Sequence, residues 1–179
     1  EERVEFLVAQ SARVGARRWI ARIMVTWGLV ACGMAYIQTA GQLYGMRLLL
    51  GAAEAGFTPG IIYYLSRWFP SSNLARAMSF FYIAAALASV IGLPLSGALL
   101  KMDGVLGFAG WRWLYFVEGV PAVVFGLVVL RYLPDKPADA KWLSVPQSQW
   151  LIETIAAESA RAPGGRATGW RYAFSDPKV

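Results

Sequence analysis

RLLLGAAEAGFTPGIIYYLSRWFP, residues 47–70, is apolar enough to cross a bilayer, yet it carries Arg47 and Glu54 seven positions apart. On a helix that spacing is almost two turns, so the two side chains share one face about 10 Å apart along the axis. Charges at membrane depth cost about 2.5–3.5 kcal/mol each even on the most lenient insertion scale. A chain that keeps two of them on one face needs a partner or a use for them. On these residues alone, the face lines a polar pathway for an anion.

The surroundings of this stretch agree with a membrane setting. Of 179 residues, 57% are hydrophobic and 16% charged, with a mean hydropathy of +0.45. Soluble domains carry about 25% charge, and here the apolar residues fall in long blocks, as in an integral membrane protein. There is no histidine, and Cys32 is the single cysteine. A disulfide framework, a cysteine-rich zinc site and a histidine-based triad are therefore excluded within one chain. No cofactor or metal is expected, and no nucleophile–base pair suggests an enzyme. No phosphate-binding loop is visible either, which leaves direct ATP drive unsupported. Cys32, inside an apolar block, reads as a small packing residue. The net charge of +6 does not point to nucleic acid, because the basic residues sit at block ends rather than along a stripe. The charged first residues, without a long apolar core, do not read as a signal peptide.

Four spans follow from the blocks: about 19–40, 43–69, 77–100 and 111–133. Residues 1–18 form a basic segment before them, and residues 134–179 a polar loop after them. On the second span, Ala52, Gly56 and Gly60 repeat every four residues, a small-residue row that admits a neighbouring backbone. Pro59 should kink that span near mid-membrane, since it offers no N–H to the carbonyl of Ala55. PSSNLAR then reads as a short polar loop. Ala84, Ala88, Gly92 and Ser96 make a second small row on the third span, and Pro94 should bend its outer half. Trp111, Trp113 and Tyr115 read as an interfacial belt before they read as a stacking surface for a ligand. Ser144 and Gln147 have capping-box spacing with Pro146 in the first turn. They predict a surface helix near 144–159 with Trp150, Leu151 and Ile155 on its apolar face.

Orientation comes from charge. Arg3, Arg13, Arg17, Arg18, Arg67, Arg76, Arg131, Lys136 and Lys141 flank one side, and Lys101 and Arg112 the other. The positive-inside rule places the first side, with residues 1–18 and 134–179, in the cytoplasm.

Several stretches carry a resemblance. RVGARR (13–18) matches the Arg-x-Gly-x-Arg-Arg part of the signature between the second and third helices of major facilitator superfamily transporters. RLLLGAAEAGFTPG resembles the fourth-helix pattern of the anion:cation symporter branch, and GWRWLYFVEGVPA its sixth helix. That branch includes tartrate, phthalate, sugar-acid and allantoate permeases, sialin and vesicular glutamate carriers. The likeness runs from Arg13 to Glu153, and WRYAFSDPKV (170–179) looks like the approach to a seventh helix. It implies an all-α, polytopic fold: helices three to six of the N-terminal helix bundle, plus the central loop, of a twelve-helix carrier. The remaining helices of that carrier and the lipid bilayer would then be the chain's partners. Two departures stand out. The signature's aspartate before RxG is Ala12 here, and residues 1–11 do not look like a second helix.

The resemblance implies secondary active transport of a small organic anion, a carboxylate, with protons as the coupling ion. Arg47 corresponds to a family arginine that engages substrate or couples to the proton. A guanidinium in a low-dielectric cavity is also a strong bidentate carboxylate receptor. Its bland alternative is snorkelling to the outer interface. Glu54 lies deeper, where charged carboxyls are penalised, and would bind and release the coupling proton. Its alternative is a structural hydrogen bond to a neighbouring helix. Glu118, in the fourth span, reads as an interhelical polar link. Gly15, Arg17 and Arg18 resemble a cytoplasmic gating loop, although topological charge alone would explain the arginines. A second functional class stays open: a stand-alone four-helix oligomer, such as a small cation exporter using Glu54 or Glu118. Arg47 opposes that class, because it repels cations.

Overall fold

The computed structural model describes residues 15–161, and every regular element among them is helical. In chain order these are α1 (Ala16–Met34), α2 (Ala40–Glu54), α3 (Phe57–Ser66), α4 (Ser71–Leu100), α5 (Gly110–Tyr132) and α6 (Val145–Arg161). Short 3-10 turns at Val105–Gly107 and Pro137–Asp139 lie on either side of α5. Three segments are long and apolar enough to cross a membrane: Ala40–Ser66 (α2 with α3), Ser71–Leu100 and Gly110–Tyr132. The chain is an all-α polytopic membrane protein. α1 is not among those three; its 19 residues include Arg17, Arg18 and Arg22.

α1 is nevertheless the centre of the packing. Trp19, Ile20, Ile23, Ala31 and Met34 are buried on it. Its closest neighbour is α5, and glycines set that approach. A methyl group on Gly119 would lie 2.7 Å from the Gly28 carbonyl and 2.5 Å from Cys32 Sγ. One on Gly126 would lie 2.8 Å from Val25. Gly119 and Gly126 are seven residues apart and therefore on one face of α5, which lets the two backbones close in. Cys32 thus fills a gap beside Gly119.

α4 is held only along its edges. Phe81 packs on Phe57 of α3, with ring centroids 6.5 Å apart, and Gly110 of α5 lies against the Leu100 carbonyl. Ala84 and Ala88 are exposed, Gly92 and Ser96 half-buried, and nothing lies within 4 Å of where a Gly92 side chain would begin. The second small row therefore faces away from the described helices. A helix apolar on every side, as α4 is, presents that surface to lipid or to further helices.

Several boundaries differ from those expected. The first helix runs Ala16–Met34 rather than 19–40. PSSNLAR is not a loop: α4 starts at Ser71, directly after Pro70. The expected kink at Pro59 is a full interruption one turn earlier. Ala55 is extended (φ −55°, ψ 126°) and Gly56 has φ 87°, which separates α2 from α3. Pro59 has no N–H to give Ala55 and its ring would crowd that carbonyl, so the chain leaves the helix there. Gly56 tolerates the positive φ, and Pro59 restarts the helix in its first turn. α4, by contrast, continues through Pro94. In α6, Gln147 Oε1 accepts the Ser144 N–H at 3.0 Å. Leu151 and Ile155 are half-buried, whereas Trp150 is exposed and off the packed face.

The segment after α5 folds back over the basic rim of the bundle. Asp135 Oδ1 accepts the Arg17 backbone N–H at 2.8 Å, and Asp135 Oδ2 lies 3.6 Å from Arg17 Nε. Tyr64 donates its hydroxyl to the Pro134 carbonyl at 3.2 Å. Trp142 stacks on Trp68 at 5.8 Å and 17°. Glu158 Oε2 accepts the Ser71 N–H at 2.7 Å. Helix N-termini present unsatisfied N–H groups, and the residues preceding α1 and α4 are Gly15 and Pro70, neither of which makes a side-chain cap. Two distant carboxylates supply what these positions lack.

Candidate functional site

The candidate site lies along α2 and the interruption that ends it. α2 is well started: Thr39 accepts the Gln42 N–H, and Gln42 Oε1 accepts the Gln38 and Thr39 N–H groups. Met46 reaches Gly33 of α1, and Leu50 and Ala53 are half-buried, so this row faces the bundle. Arg47, Gly51 and Glu54 form the adjacent row and are exposed. Arg47 and Glu54 do share one stripe of one unbroken helix, about 10 Å apart along its axis. Neither makes a hydrogen bond or ion pair among the described residues.

Glu54 is the last residue of α2 and forms the polar edge of an otherwise apolar cavity of about 280 Å³. Ile23, Met24 and Trp27 of α1, Phe57 of α3 and Ala122 of α5 complete the lining. Helix ends with broken hydrogen bonding are tolerated at membrane depth only where protein or a cavity surrounds them. Here the Gly56 carbonyl, which accepts the Gly60 N–H of α3 at 3.0 Å, also accepts the Trp19 Nε1–H at 3.2 Å. The indole also lies against Gly60, where a methyl group would be 2.9 Å from Trp19 Cδ1.

The other candidates are dispersed. Ala52 is exposed, Gly56 is the interruption itself, and Gly60 is buried under Trp19, so these three do not form a row on a continuous helix. Glu118 is exposed on α5 and has no partner among the described residues. It precedes Gly119, at the crossing with α1. Gly15 has φ 90°, and a side chain there would begin 3.2 Å from Asp135 Oδ1. Arg17 is engaged by Asp135, and Arg18 is exposed. A second, polar cavity of about 740 Å³ at this rim is lined by Arg17, Arg131, Asp135, Asp139, Lys141 and Trp142, among others. Among the described residues no cluster of three or more histidine, cysteine, aspartate or glutamate residues could hold a metal.

Sequence reasoning did not single out Trp19, Asp135 or Glu158 for these contacts, nor Gly28, Gly119 and Gly126 as a crossing. Gly119 and Gly126 carried a signal in their seven-residue spacing on one face, but their partner Gly28 lies on another helix.

Known proteins bear on what this arrangement serves. The chain is 53% identical over 148 residues to an Agrobacterium vitis protein named "Putative tartrate transporter", covering 83% of this chain and 34% of that protein. It is 44% identical over 146 residues to "Inner membrane transport protein RhmT" of Escherichia coli, covering 82% of this chain and 34% of that protein. It is 40% identical over 167 residues to a "Quinolone resistance transporter" of Acinetobacter baumannii, covering 93% and 38%. The chain therefore spans about a third of the length of these relatives. Residues 6–179 match the family described as Major Facilitator Superfamily. A helical bundle with an interrupted, charge-bearing span, matched over nearly its whole length, belongs to the major facilitator superfamily.

Proposed function

We propose that the chain is the third-to-sixth-helix part of the N-terminal bundle of a secondary carrier for a small organic anion, coupled to protons. The observation that carries this reading is the Arg47–Glu54 stripe. It sets an exposed guanidinium and a cavity-edge carboxyl on one helix face, with no partner for either among the described residues. Unpaired charges at membrane depth mark a substrate or ion pathway. Arg47 neutralises the substrate carboxylate through its planar fork of donors. Glu54 takes up the coupling proton at the C-terminal end of α2.

The named relative from Agrobacterium vitis supports a hydroxy-dicarboxylate such as tartrate as the substrate to try first. Alternating access rocks this half against the other around a midplane site, as in carriers built from repeats. The side bearing nine of the flanking basic residues faces the cytoplasm. Labelled tartrate uptake by the full-length protein in proteoliposomes, with and without an inward proton gradient, tests the proposal. Gradient-dependent uptake that Glu54→Gln abolishes supports it; uptake indifferent to the gradient contradicts the coupling.

A further inference from the structure

Trp19 has no place in the substrate or proton roles above, yet it is 3% exposed and joins two features that matter to both. Its indole N–H donates to the carbonyl of Gly56, the left-handed residue at the centre of the interruption. Its ring covers Gly60 one turn further on, leaving no room for a side chain there. The face of α1 that carries Trp19 continues through Ile23 and Trp27 at intervals of four, and both of those residues line the cavity at Glu54. One face of α1 therefore grips the interruption from below and walls the cavity above it. Glu54 stands two residues before the gripped carbonyl, so its position at the cavity edge depends on where the chain breaks.

We infer that Trp19 is a positioning residue: by holding the Gly56 carbonyl, it fixes the α2–α3 interruption and so sets how far Glu54 projects over the apolar cavity. This rests on the proton role proposed for Glu54. The lining residues from α1 (Ile23, Met24, Trp27), α3 (Phe57) and α5 (Ala122) are not ionisable. The nearest charges along the packed elements are Arg22, whose guanidinium stacks 4.3 Å from the Trp19 ring centroid, Glu118 one turn before Ala122 on α5, and Arg47 on α2.

Trp19→Phe keeps an aromatic ring and removes the N–H together with part of the indole. In the full-length protein it should cut gradient-driven tartrate uptake by about fivefold or more, because a loosened interruption no longer holds Glu54 at the cavity edge. Tartrate exchange at equal protein amounts should stay within about twofold, since the anion receptor is untouched. A variant with wild-type gradient-driven uptake per amount of protein, whatever its yield, overturns the positioning role and leaves Trp19 as packing alone. Should Trp19→Phe not accumulate, Gly60→Ala, which presses on the same ring, is read in the same assay with the same two outcomes. Glu54→Gln run in parallel separates the two ideas. If it abolishes gradient-driven uptake while Trp19→Phe leaves that uptake unchanged, only the positioning role fails; if it leaves gradient-driven uptake intact, the proton role fails and the positioning role with it.

Discussion

Asp135 reaches back across 118 residues of chain to accept the backbone N–H of Arg17 at 2.8 Å, and its other oxygen lies 3.6 Å from the same residue's guanidinium. One carboxylate thus caps α1 and pairs with a residue of the basic stretch at its start. The family signature carries an aspartate where this chain has Ala12, and Asp135 supplies a carboxylate to Arg17 from the far end of α5 instead.

Removing that carboxylate should destabilise the basic rim. Asp135→Ala is expected to cost about 1–2 kcal/mol, the range for a lost cap with a charge-assisted bond. Asp135→Asn keeps an acceptor and should lose roughly half as much. Thermal melting of the purified protein in detergent reads the order wild type, Asn, Ala. Equal melting of all three would mean that Arg17 draws nothing from Asp135.

The corresponding contact at α4 lies between Glu158 and the Ser71 N–H, 2.7 Å. Because Pro70 offers no cap, Glu158→Ala should speed hydrogen exchange at the Ser71 amide by about tenfold or more, the range for a hydrogen bond to a charged group. Protease cleavage between residues 140 and 150 should rise as α6 comes loose from the rim. Unchanged exchange and cleavage would show that the Trp68–Trp142 stack and the Tyr64–Pro134 bond hold the segment without it.

At the α1–α5 crossing, Gly119→Ala puts a methyl group against Cys32 Sγ and the Gly28 carbonyl. Overpacking of this kind costs about 1–3 kcal/mol. Adding Cys32→Ala should recover part of the loss, since it removes one of the two clashes and leaves the carbonyl. Non-additive melting temperatures in this double-mutant cycle confirm direct contact; strictly additive ones would place the two residues apart.

Much of this architecture is legible in the order of apolar blocks and short links, because a bilayer demands long helices and little else. The Arg47–Glu54 stripe is legible for the same reason: seven residues on one helix fix a shared face. The interruption at Ala55–Gly56 was half legible. Pro59 announces a lost hydrogen bond, but whether a helix bends or breaks depends on a residue able to take a positive φ, and Gly56 stands three positions before it. PSSNLAR reads as a loop by its serines and asparagine, yet Ser71 begins α4 because its N–H finds Glu158, 87 residues later. No local pattern carries such a pairing. The small-residue rows show the complementary problem. Spacing within one helix says that a close approach is possible, while the crossing at Gly28 and Gly119 depends on which helix arrives.

The central claim is that Arg47 receives the anion, and uptake of labelled tartrate by the full-length protein carrying Arg47→Ala tests it most directly. Membrane insertion and melting temperature should match wild type, because Arg47 is exposed and has no partner among the described residues. Uptake should fall at least a hundredfold, about the loss expected when a bidentate charged contact at a dry site is removed. Wild-type uptake by a correctly inserted Arg47→Ala protein would contradict the claim and leave Arg47 as an interfacial anchor.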